Sequence, residues 1–192
     1  MTDLPRSDPL AAVSPLDGRY ARYTEPLVPY ASESALMRAR VRVEVEYLLA
    51  LDELDATPVA IDTDTREALR DCYESFDAED ARLIKRLETE GAEGYAATNH
   101  DVKAVEYFIR TRIDESLHPW IHFGLTSEDV NNLAHRLLLK PAVADVLLPA
   151  LTAVRDELES LAQAHRDTPM LARTHGQPAT PTTFGKEMAV VA

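Results

Sequence analysis

Near the end of the 192-residue sequence, residues 172–183 read ARTHGQPATPTT. One imidazole, His175, is followed at once by Gly176 and flanked by hydroxyls, an amide and two prolines. An imidazole ordinarily titrates near neutrality, which makes it the usual side chain for moving a proton in catalysis. Gly176 allows a ligand to approach the backbone closely, while Pro178 and Pro181 stiffen the segment. The alternative reading is a histidine hydrogen-bonded in a structural turn.

Three other segments concentrate polar groups just before helix-like stretches: DGRY (17–20), TNHD (98–101) and HFGLTSED (122–129). A helix N-terminus offers unpaired N–H donors and the positive end of the dipole, so such junctions gather anions. Arg19 presents a planar fork suited to carboxylate or phosphate, although DGRY taken alone reads as a surface turn. In TNHD the choice lies between N-capping by Thr98 or Asn99, with His100 incidental, and a ligand contact. GLTSED places two hydroxyls, Thr126 and Ser127, where one suffices as a cap; the second is available to a ligand carboxylate. Glu128 and Asp129 oppose an anion there unless they point away.

His118, His135 and His165 have weaker claims: a turn before Pro119, a helix with polar neighbours, and a helix C-terminus that favours a cation anyway. No HExxH, no GxGxxG and no phosphate-loop pattern occurs, so neither a metal nor a cofactor is expected. Cys72, the single cysteine, falls on an apolar helical stripe and reads as a small buried hydrophobe.

Helices must position these groups. The expected fold is all-α. Apolar residues recur at helical spacing in SESALMRARVRVEVEYLLALDEL, through Leu36, Val43, Tyr47, Leu51 and Leu54. RVRVEVEY also alternates like a strand, but its length and flanks favour helix. Asp64 and Glu67 have capping-box-like spacing ahead of Leu69, Cys72, Tyr73 and Phe76. Further stripes run through Leu83, Ile84 and Leu87, and through Val102, Val105, Phe108, Ile109 and Ile113. SLHPW reads as a turn, Pro141 as a break, Pro149 as a kink or restart, and residues 167–183 as loop. No strand, internal repeat or low-complexity linker is expected. A boundary at SLHPW divides an N-terminal helical domain (1–118) from the start of a long-helix bundle (119–192).

The net charge of −13 excludes nucleic acid and anionic membranes as general partners. Only Lys85, Lys103, Lys140 and Lys186 among the 20 basic residues are lysine, a pattern that suits a high-salt cytoplasm. No apolar run approaches the ~18 residues needed to span a bilayer, and the N-terminus lacks the form of a secretory signal. A cytoplasmic protein is expected.

SPLDGRY, TNHDVKAVEYF, FGLTSEDVNNL and RTHGQPATPTTFGKEMA, in this order, resemble the adenylosuccinate lyase family of the fumarase/aspartase superfamily. The likeness runs from Ser14 to Ala192, and NHDVKAVE and GKEMA distinguish it from other superfamily lyases. The resemblance implies β-elimination of fumarate from adenylosuccinate to give AMP, and the equivalent step on the succinylated aminoimidazole carboxamide ribotide. His175 is then the general acid. Thr126 and Ser127 bind the succinyl carboxylates, and Arg19 and Tyr20 grip the nucleotide. Asn99, His100 and Asp101 line the substrate site, with His100 near the phosphate or supporting His175. Thr174 and Gln177 are lesser contacts, and His122 contributes. No cofactor is implied, and the family's working form is a homotetramer.

The family's general base is a serine on a Gly- and Ser-rich loop with a Met-Pro-x-Lys-x-Asn signature, absent from these 192 residues. The chain is therefore expected to be an N-terminal portion without lyase activity of its own. The alternatives are a non-catalytic lyase-like binding module and a different superfamily lyase.

Overall fold

After the single helical turns α1 (Ala21–Thr24) and α2 (Val28–Ala31), Ser32 accepts the Ala35 N–H at 3.1 Å and starts α3 (Glu33–Asp52). The computed structural model describes residues 8–192, so the expectation of no secretory signal falls partly on residues that lie outside the described ones. The strand-like alternation in α3 records burial on more than one side. Val41, Val45, Leu48 and Leu49 enter one apolar cluster, Ala39 and Val43 another. Leu54, expected on the buried face, lies beyond the helix end and is exposed.

Helix α4 (Thr63–Glu74) begins at Asp62, whose carboxylate accepts the Thr65 N–H at 2.7 Å, rather than at Asp64. Asp77 and Asp80 form a reciprocal capping box on α5 (Ala78–Thr89). Together with α6 (Asp101–Arg110), these helices bury Leu69, Ile84, Leu87, Val105, Phe108 and Ile109 against α3. Cys72 is buried in that core, as its position on the stripe requires, and burial pushes its thiol up.

SLHPW is not a boundary. It lies in a 3-10 helix, Glu115–Trp120, and Leu117 and Ile121 enter the same core. The chain divides by contact after Pro141 instead of at 118/119, with a second unit over Ala142–Ala192. Pro141 also fails to break α7 (Ser127–Ala142). A five-residue π-helical segment, Val143–Leu147, follows, and α8 (Leu148–Ala164) then carries Pro149 in its first turn. A wider turn between two prolines tolerates the N–H donors they remove.

In the second unit, the expected loop is an antiparallel hairpin of β1 (Pro169–Thr174) and β2 (Gln177–Thr183). It adds a two-stranded sheet to an otherwise helical architecture. Pro178 and Pro181, expected to stiffen a loop, both lie in β2 opposite Arg173 and Leu171, with a register shift between those two partners. A two-stranded ribbon is all edge, so a missing N–H can face solvent. Helix α9 (Phe184–Val191) follows, and Gly185 at its start is buried against the last turn of α8.

One composition-based expectation needs amendment. The helical stretch Ser127–Ala164 contains an 18-residue window of mean hydropathy 1.7, enough by length and composition to cross a membrane. The chain reads as interrupted because Lys140, Pro141, Asp145 and Pro149 punctuate it. On α8 and the segment before it, Leu147, Leu148, Leu151 and Val154 are exposed.

Candidate functional site

One stripe of α3 collects two polar segments of the first unit, 98–101 and 122–129. Arg40, Glu44 and Tyr47 are spaced i, i+4, i+7 and so share a helix face. Arg40 is 7% exposed; it lies 2.8 Å from Asp101 and donates from Nε to Asn131 Oδ1 at 2.9 Å. Glu44 meets His122 Nδ1 at 2.6 Å, and the Tyr47 hydroxyl donates to the Phe123 carbonyl at 2.9 Å. The N-terminus of α6 and the loop into α7 are thereby tied to one helix. Val102 and Val130 join the same apolar cluster, with Leu125 packed on it, so the NHD and TSED segments adjoin.

His100 caps α6 itself. Its Nδ1 accepts the Lys103 N–H at 3.3 Å, which requires a lone pair on that nitrogen and corrects the expectation of a cap by Thr98 or Asn99. The Thr98 hydroxyl instead bonds the N–H and C=O of His100 at 3.2 and 2.9 Å. Asn99 takes the left-handed conformation, φ 49°, which this residue type tolerates. Burial works to raise the Asp101 carboxyl, but the Val102 N–H and the Arg40 guanidinium outweigh it and hold the group below its ordinary range.

At α7, Asp129 turns back rather than away: its Oδ2 accepts the Thr126 N–H and hydroxyl, each at 2.7 Å. These two bonds lower the Asp129 carboxyl. The Ser127 hydroxyl has no hydrogen-bond partner among the described residues. Gly124, φ 72°, gives the loop its turn.

Arg19 and Tyr20 stack, with the guanidinium 4.7 Å from the ring centroid. Among the described residues, no hydrogen bond, ion pair or ring contact joins them to the NHD or TSED segments. Thr174, His175 and Gln177 belong to the second unit. His175 (φ 49°) and Gly176 (φ 74°) are the two central residues of the hairpin turn closed by the Thr174–Gln177 pair. Two successive positive φ values are the mark of a type I′ turn. The turn presents an exposed imidazole on two paired strands. The base of the hairpin is fixed by His165: its carbonyl accepts the Gly185 N–H at 3.0 Å, and its ring meets Phe184 edge-on at 5.1 Å. That is a packing role, beyond the helix-end charge expected for it.

A model of the family described as lyase matches residues 18–192. The chain belongs to the lyase family. Among its relatives, an adenylosuccinate lyase of Escherichia coli (strain K12) is 46% identical over 190 residues, and one of Legionella pneumophila (strain Corby) 43% over 186. These matches take in 95% and 93% of this chain but 40% and 39% of the relatives. The chain therefore spans about two-fifths of the length of the curated proteins it matches. A solved fumarate lyase from Mesorhizobium sp. BNC1 shares the fold, with a TM-score of 0.66 and 24% identity over 99% of this chain and 38% of that one.

Glu44, Glu106 and Arg40 are the functional-site candidates that sequence reading passed over. All three are buried charged residues within apolar helical stripes. Charge on an otherwise apolar face was the available signal, since such groups are rarely fully buried unless paired.

Proposed function

We propose that this chain supplies the acid half of an adenylosuccinate lyase active site, a carbon–nitrogen lyase. The reaction removes a proton beside a succinyl carboxylate, breaks the C–N bond to release fumarate, and returns a proton to the departing nitrogen of AMP. The succinylated aminoimidazole carboxamide ribotide would undergo the same cleavage. His175 serves as general acid, and its exposure on the rigid tip of a hairpin is the observation that carries this reading. Thr126 and Ser127 take the succinyl carboxylates. The Ser127 hydroxyl is free to do so, and a substrate carboxylate would replace Asp129 at Thr126. Asn99, His100 and Asp101 contact the substrate, Arg19 and Tyr20 hold the nucleotide, and Thr174 and Gln177 flank the acid.

No loop with the Met-Pro-x-Lys-x-Asn signature that the resemblance implies for proton abstraction occurs in these 192 residues, so on this reading the chain alone is inactive. The working form is a cytoplasmic homotetramer. The exposed Leu147, Leu148, Leu151 and Val154 support such an assembly, as an apolar stripe calls for partner helices. The acidic, lysine-poor surface fits a salt-rich cytoplasm.

The test is fumarate release from adenylosuccinate by the chain alone, and by the chain co-expressed with the part of the E. coli relative beyond its matched segment. Activity only in the second case, lost on His175→Asn, supports the proposal. Turnover by the chain alone would overturn its incompleteness, and turnover that survives His175→Asn would overturn the assignment of the acid.

A further inference from the structure

Glu44 is fully buried, with no exposure, in the middle of α3. One carboxylate oxygen meets His122 Nδ1 at 2.6 Å; the other, Oε2, has no hydrogen-bond partner among the described residues. Burial raises the Glu44 carboxyl, against the opposing pull of His122, and the nearby Glu106 adds to the rise. Glu106 is itself buried, with Lys103 at 2.6 Å and Arg110 at 3.9 Å. A buried carboxylate with one oxygen unpaired is an expensive way to pin a loop; an amide or a hydroxyl would hold it at less cost. Tyr47 already supplies such a pin one turn along α3, to the Phe123 carbonyl at 2.9 Å.

His122 is placed as deliberately. Its backbone is left-handed, φ 61°, a state uncommon among residues other than glycine, and its side chain is only 16% exposed. Its carbonyl accepts the Leu125 N–H at 3.2 Å, closing the turn that leads into Thr126 and Ser127. No hydrogen bond reaches Nε2 among the described residues. A carboxylate on one ring nitrogen fixes both the ring's orientation and its tautomer, leaving the other nitrogen to a ligand.

We propose that Glu44 is a positioning residue: it holds His122 as an Nδ1–H donor, so that Nε2 is the nitrogen presented beside the Thr126–Ser127 turn to an anionic, carboxylate-bearing ligand. The assignment of the ligand class rests on the proposed function; the positioning of the ring does not.

Imidazole ¹⁵N spectra of the labelled 192-residue chain test it. In the wild type, the His122 Nδ1–H is protected from solvent exchange over the neutral range. In Glu44→Gln that protection falls at least tenfold and the ring samples both tautomers, while the cooperative urea transition persists. Glu44→Asp, one methylene too short for the 2.6 Å contact, gives the same loss and serves if the amide variant fails to fold. An Nε2–H tautomer in the wild type, or an unchanged His122 spectrum in the folded variant, would overturn the proposal. Titration with fumarate reports separately on the ligand. Shifts at Thr126, Ser127 and His122 are expected, with the His122 shift lost in Glu44→Gln. No shift at Thr126 and Ser127 in the wild type would remove the carboxylate reading and leave the positioning claim to the imidazole spectra.

Discussion

The Arg40 guanidinium, buried within the helical core, bridges Asp101 at 2.8 Å and Asn131 at 2.9 Å. It joins the start of α6 to the first turns of α7. Removing one partner of a buried pair costs about 3–5 kcal/mol, and the half-exposed Asp101 puts Arg40→Met below that range, at about 2–3 kcal/mol. Urea unfolding measures this directly. Because the Asp101 carboxyl is held below its ordinary value, its contribution is present above the unfolded value near 3.8 and is lost as pH falls through the lower folded value. The stability gap between wild type and Asp101→Asn is therefore expected at about pH 6 and closes as pH falls through the folded value.

His175→Asn separates folding from chemistry. Asparagine tolerates the left-handed conformation that His175 adopts, so the type I′ turn is kept and stability changes by less than about 0.5 kcal/mol. On the acid role proposed for His175, activity of the complemented assembly is expected to fall by roughly 10²–10⁴-fold, the usual contribution of such a group. Gly176→Val is the contrasting variant: a β-branched residue at φ 74° strains the turn, and amide exchange across β1 and β2 accelerates.

Asp129 spends its carboxylate on Thr126, which makes it a competitor for the hydroxyl that a substrate would use. Asp129→Asn is expected to lower Tm by a few degrees at neutral pH and to make fumarate shift the Thr126 resonance at lower concentration. The folded-state carboxyl is lowered, so wild-type stabilisation is present above the unfolded carboxylate range and lost as pH falls through the folded value. Below that value the two proteins unfold alike in thermal scans.

Gly185→Ala tests the second unit by itself. A Cβ at this position would fall 2.4 Å from the Ala162 carbonyl oxygen and 2.6 Å from the Arg166 nitrogen, both backbone atoms that cannot give way cheaply. Overpacking of this kind costs about 1–3 kcal/mol or more. Hydrogen exchange is expected to rise across Phe184–Val191 and the end of α8 while the core of the first unit stays protected.

Much of this was legible in the chain because local rules agreed with the fold. The stripes through Leu69, Ile84, Leu87, Val105 and Phe108 are core, and Cys72 lies among them. The polar segments 98–101 and 122–129 do lie at helix starts, while their adjacency comes from the packing of Val102 and Val130. Capping was read less well. Asp62 in place of Asp64 is a shift of register, but His100 acting through its own Nδ1 is a device that cap statistics do not favour. The hairpin was missed for a specific reason. Pro178 and Pro181 ordinarily exclude a strand, and HG is a type I′ signal only when strands flank it.

The sequence by itself determined the helical class, the apolar stripes and the order of the polar segments, because each depends on residues close in the chain. The tertiary structure decided which charges are buried and with whom. Arg40, Glu44 and Glu106 interrupt apolar stripes, but that mark gives neither the depth of a charge nor its partner. Their burial follows from Asp101, His122 and Lys103 arriving within bonding distance, at separations of 2.8, 2.6 and 2.6 Å. Burial sets the cost of a charge, and its partner decides whether that cost is met, so neither could be read from the residue alone.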